Sequence, residues 1–139
     1  MIEAFTTGFY NKLKADSDLQ TKLSGTSSDR KIYNTIAPQD SELPYITFGL
    51  LTDTPEGVMQ NLGRREEMTF YVNVFSDTGI ENAMEIVDLV KTAMDDCTLT
   101  ITGYTHMKCM REFVGAVIID TLNSIYQVPM RYLVWACKD

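Results

Sequence analysis

Ile2, Phe5, Phe9 and Leu13 recur at helical spacing with Glu3, Asn11, Lys12 and Lys14 between them, which predicts an amphipathic helix stopping near Asp16. Ser17 to Gln20 then matches a capping box. It opens a short helical turn that carries Leu19 and Leu23 inward, ends at Gly25 and gives way to a loop through Asp29. Beyond Ile32-Tyr33-Asn34, Pro38 and Pro44 impose an extended lead into a strand over Tyr45 to Leu51. Thr52 to Gly63 holds Pro55, Gly57 and Gly63 without an apolar period, and reads as a long loop or as the irregular tip of a long hairpin.

Met68, Phe70, Val72 and Val74 alternate with Thr69, Tyr71 and Asn73, the signature of a central strand with one buried face and a second, partly apolar one. Thr78 to Glu81 matches a second capping box and opens a helix. Ile80, Ala83, Met84, Val87, Val90 and Met94 form its core stripe, Glu81, Glu85, Asp88 and Lys91 face out, and Asp95-Asp96 oppose the dipole at its end. Tyr104 to Phe113 reads as a strand, Val114 to Asn123 is ambiguous, and Ile125 to Trp135 is a long final strand. Pro129 removes a ladder donor from that strand, so it is expected at a sheet edge or bulged there. The order helix, strand, strand, helix, strand, strand predicts an α+β fold, an antiparallel sheet of about four strands with two helices packed on one face.

Composition narrows the function classes. At 139 residues, 45% hydrophobic and 22% charged, the chain is expected to fold as one compact domain over residues 1–139. Twelve Lys and Arg against nineteen Asp and Glu leave a net charge of -7, which disfavours a reader of nucleic-acid phosphates. Cys97, Cys109 and Cys137 are odd in number and widely spaced, so nothing in the sequence brings two together, and all three are expected as free thiols in an intracellular protein. No signal peptide or membrane-spanning run is apparent, and no membrane partner is expected.

Chemistry is sparse. His106 is the single histidine. An odd number of strand positions separates it from Cys109, so the two are expected on opposite faces and a nucleophile–base dyad is disfavoured. Asp95-Asp96 reads as a solvated helix end rather than a catalytic carboxylate pair. Nucleotide-cradling, zinc-protease and calcium-loop motifs are all missing, so no cofactor or metal is expected. Arg64-Arg65-Glu66-Glu67 is either an ordinary charged hairpin arm or one half of a complementary subunit contact, in which opposite charges set register.

The opening helix and its short second turn, then Ile32-Tyr33-Asn34, Ala37-Pro38-Gln39 and Leu43-Pro44-Tyr45-Ile46, resemble the tail-terminator, or tail-completion, family of long-tailed bacteriophages and prophages. The later order agrees, with Glu67 to Ser76 as a strand, the small and apolar helix face of Ala83 to Met94, and two closing strands. The resemblance implies a non-enzymatic virion protein, made in the host cytoplasm, that assembles into a ring, a hexamer, on the end of the tail tube. There it would stop tube polymerisation and present a surface to the head connector or neck protein. DNA would cross such a ring without specific binding, which an acidic lining favours. One departure is Val114, Val117, Ile118 and Ile119, more apolar than an exposed family loop needs, and readable as a hidden strand or a docking patch.

Two other readings remain open. One is a head-closure or neck protein, and the other a small-molecule-binding or enzymatic domain with a cleft between the Thr52 to Gly63 segment and the last strand. On the leading reading, the candidate interface with neighbouring subunits or the major tail tube protein is Pro55, Glu56, Gly57, Val58, Met59, Gln60, Asn61, Leu62, Arg64, Arg65, Glu66 and Glu67.

Overall fold

The computed structural model describes residues 2–25, 30–56, 65–101 and 103–138. Its elements are α1 (Ile2–Lys14), α2 (Ser17–Leu23), β1 (Ile32–Asn34), β2 (Tyr45–Glu56), β3 (Arg65–Ser76), α3 (Ile80–Met94), β4 (Tyr104–Val114), β5 (Ile118–Asp120) and β6 (Ile125–Lys138). The fold is α+β as expected, with two corrections. The sheet is mixed, because β1 runs parallel to β2, and it holds six strands in the order β1-β2-β3-β6-β4, with β5 also paired to β6. The short turn after α1 is a helix in its own right, making three helices among the described residues.

Alternation decides which sheet face is covered. Ile46 and Phe48 of β2, Met68, Phe70, Val72 and Val74 of β3, and Val128, Met130, Tyr132, Val134 and Ala136 of β6 all point into the core under the helices. Phe9 of α1 lies at its centre, stacked on Phe70 at 4.7 Å and on Phe48 at 5.7 Å and edge-on to Tyr132 at 6.2 Å. From α3, Ala83, Ile86, Val87, Val90 and Met94 complete the layer.

Both capping boxes are displaced by one residue. Asp16, not Ser17, caps α2 by accepting the Leu19 amide at 2.9 Å, and Ser24 in left-handed geometry closes it one position before Gly25. Gly79, not Thr78, is the cap of α3 and has no side chain to offer. The buried Ser76 hydroxyl ties that junction instead, donating to Asn82 Oδ1 at 2.7 Å and accepting the Thr78 amide at 3.3 Å.

Thr52 to Glu56 is no loop. The strand of β2 runs through a bulge between Leu50 and Thr52 and stays paired with β3 as far as Glu56↔Arg65, so among the described residues this segment is the arm of a long hairpin. Pro55 fits because β2 has no described partner on its other side there. β3 is central as expected, between β2 and β6.

β6 is central too, neither an edge strand nor bulged at Pro129. Toward β3 the ladder is unbroken through Asn73↔Pro129. On the other side β4 ends at Val114↔Met130 and β5 begins at Ile118↔Gln127, and Pro129 occupies that gap, its carbonyl accepting the Gly115 amide at 2.7 Å. The missing proline N–H faces a place where no partner strand needs it. The ambiguous 114–123 region thus contains a strand, β5, and a turn leading into β6.

Candidate assembly interface

The candidate residues that are described gather at one end of the sheet. Pro55 opposes Glu66 and Glu56 opposes Arg65, while β6 brings Trp135, Ala136 and Cys137 opposite Glu67, Glu66 and Arg65. Gly57, Val58, Met59, Gln60, Asn61, Leu62 and Arg64 lie outside the described residues. Glu67 is half-buried and accepts a hydrogen bond from Trp135 Nε1 at 2.9 Å, so part of this charged arm is built into the sheet.

The sheet face away from the helices is partly apolar, as the β3 alternation indicated. Tyr45 contacts Tyr33 edge-on at 5.8 Å and Phe75 at 5.1 Å, and the Arg131 guanidinium lies 4.9 Å from the Phe113 ring. At the β5 end, Ile118, Ile119 and Leu122 stand exposed. Ile36, in the turn after β1, is equally exposed at the opposite edge, and no periodic pattern in the sequence marks it because it belongs to no element.

Three sequence-level chemical readings change. Asp95 is not a solvated helix end: it is half-buried, accepts the Tyr132 hydroxyl at 2.8 Å and lies 3.7 Å from Arg111. Asp96 does remain exposed, 3.9 Å from Lys108. The parity separating His106 from Cys109 is lost at a bulge between His106 and Lys108. The bulge sets His106 opposite Ala136 and Cys109 opposite Val134, two positions of one face of β6. Cys97, which follows α3, meets Cys109 of β4 through a thiol–thiol hydrogen bond, a proximity without any sequence signal. All three cysteines are free. That bond holds the Cys97 thiol below its usual range and, with burial, pushes Cys109 well above it.

Among the described residues no group of three His, Cys, Asp or Glu side chains is arranged to hold a metal, and no helix is long and apolar enough to cross a membrane. The sheet thus has one helix-covered face, one partly apolar face and the long arms of the β2–β3 hairpin at its end. Residues 8–135 match the model of the family described as tail completion protein gp17. The chain belongs to the phage tail completion protein family. It is therefore a structural component of a phage-type tail, not an enzyme.

Solved structures agree at the level of fold. A chain from the virion of a native gene transfer agent particle superposes with a TM-score of 0.79 at 13% identity, covering 94% of this chain and 92% of that one. The gp17 protein of bacteriophage SPP1 does so with a TM-score of 0.62 at 18% identity, over 95% and 88%. No curated protein matches by sequence. The three chains thus share a layered frame despite little identity, because alternation and helical periodicity survive substitution of one apolar residue by another.

Proposed function

We propose that this tail completion protein acts as a single domain over residues 1–139 that assembles into a hexameric ring, caps the tail tube, ends its polymerisation and offers the surface for joining to the head connector. The family match over residues 8–135 carries the reading. A terminator must fit the last tube ring while failing to present the same surface again, and a long hairpin with a charged end supplies a directional surface of that kind. On this reading residues 55–62 and 64–67 contact the tube protein or the neighbouring subunit. A net charge of -7 lets DNA pass without being held. The chain would be made in the host cytoplasm and end in the virion tail.

The test removes Gly57 to Leu62 and leaves the paired strands of β2 and β3 intact. Lysates carrying the deletion are expected to show filled heads without tails beside overlong tails under the electron microscope. Normal tail length and joining with the deletion would exclude residues 57–62 as the docking element. The same outcome with a complete knockout would remove the terminator reading, and normal-length tails that fail only at joining would favour a neck protein.

A further inference from the structure

Two apolar surfaces lie on opposite edges of the same sheet. At the β5 edge, Ile118, Ile119 and Leu122 are 54%, 52% and 93% exposed. Ile119 opposes Tyr126, on the side of the sheet that the helices cover, yet it stays half exposed because the helical layer does not reach it. The turn that presents Leu122 is tied: Asp120 accepts the Leu122 amide at 3.1 Å and the Asn123 side-chain amide at 2.9 Å. Ile118 and Asp120 share the other face of β5, so Ile118, with Leu122 at the turn, projects from this edge as an apolar ridge carrying one carboxylate.

At the other edge a groove of about 330 Å³ opens between α1 and β1. Tyr10, Ile32, Ile36, Pro38 and Phe48 line it, and its contact surface is mostly apolar. Ile36 stands 78% exposed at its rim. Lys14 lies 5.1 Å from the ring of Tyr10, which places an ammonium beside the groove. An apolar ridge with a carboxylate thus faces away from one side of the molecule, and an apolar groove with an ammonium opens on the other.

Four strand steps, roughly 19 Å, separate the two edges, so ridge and groove cannot meet within one chain. Between copies they can. A contact that joins one edge to the opposite edge of the next copy is heterologous, and repetition of such a contact closes into a ring when the rotation permits. We propose that the β5 hairpin of one copy seats Ile118 and Leu122 in the α1–β1 groove of a second copy, with Asp120, on the same face of β5 as Ile118, facing Lys14, so that subunits join head to tail. The inference rests on the ring assembly proposed above and names the surfaces that build it.

Two variants test it, Leu122→Asp on the ridge and Ile36→Asp at the groove. Both side chains are exposed, so circular dichroism and melting are expected to match the parent protein. Each variant alone should need at least about tenfold more protein to assemble, by light scattering, with or without purified tube protein. Mixed together, they retain one good ridge and one good groove between them, so association should stop at a heterodimer. Assembly of both variants at the parent concentration would overturn the inference while leaving the ring intact. Loss of assembly in Leu122→Asp alone would overturn it in favour of a ridge-to-ridge dimer. Rings that form normally but no longer bind tube ends would overturn it by assigning the ridge to the tube protein. A parent protein that stays monomeric even beside tube protein would remove the ring reading itself, and this inference with it.

Discussion

The phenolic hydroxyl of Tyr132, a fully buried side chain of β6, donates to Asp95 at the end of α3 at 2.8 Å. That bond locks the close of the helix onto the middle of the sheet, and Arg111 of β4 lies 3.7 Å from the same carboxylate. A hydrogen bond to a charged group in a half-buried place contributes more than a neutral surface one. Tyr132→Phe is therefore expected to lower stability by about 1–3 kcal/mol in urea unfolding, with the fold retained.

The same contact predicts an alkaline limb. Burial, and then the bond to Asp95, push the Tyr132 hydroxyl well above the ordinary tyrosine range. A group raised in the folded state stabilises fully below its unfolded value, about 10 for tyrosine, and that contribution is lost as pH climbs beyond it. Stability measured from pH 8 to 11 should fall above pH 10, and fall less steeply in Tyr132→Phe. Parallel curves for the two proteins would assign the alkaline limb to other groups.

Gly115 lies against Pro129 where β4 gives way to β5. A Cβ added there would approach Pro129 Cγ to 2.8 Å and the Pro129 carbonyl oxygen to 3.3 Å, and a ring held in a central strand has little room to yield. Gly115→Ala should cost about 1–3 kcal/mol. A double-mutant cycle with Pro129→Ala should recover part of it, whereas strict additivity would show that the two do not touch.

The thiol pair predicts an order of reactivity. Cys109 is buried and pushed up by its contact with Cys97 and by burial, while half-buried Cys97 is held below its usual range, so the thiolate forms first on Cys97. Native protein treated with iodoacetamide at pH 8 should be labelled at Cys97 well before Cys109, by peptide mass spectrometry. Denatured, unreduced protein should show three free thiols.

Charge reversal probes the hairpin arm. With both Arg64 and Arg65 changed to Glu, assembly should weaken at low salt while melting stays close to that of the parent, because rim charges steer association more than they stabilise a fold. Equal assembly of the two proteins would leave Arg64-Arg65-Glu66-Glu67 as an ordinary charged strand end.

The amino-acid sequence by itself determined what depends on neighbours along the chain. The stripe from Phe5 to Leu13, the alternation from Met68 to Val74 and the stripe from Ile80 to Met94 became α1, β3 and α3, because a period of 3.6 or 2 is written within a dozen residues, although Ile80 and Met84 of the last stripe stand exposed and Ile86 takes a core place instead. The strings around Ile32, Pro38 and Pro44 likewise carried the resemblance to the tail completion family that the match over residues 8–135 established. Everything that depends on which edges meet was left to the tertiary structure. Pro129 argued locally for an edge strand, yet it sits in a central one, because the break between β4 and β5 falls opposite it. Asp95 and Tyr132 lie 37 residues apart, and only the packing of α3 across the sheet joins them. The pairing of Cys97 with Cys109, the bulge that moves His106 to the register of Cys109, and the separation of ridge from groove by the full width of the sheet follow from strand order. Periodicity assigns each segment a buried face; it carries no information about which distant segment will cover that face.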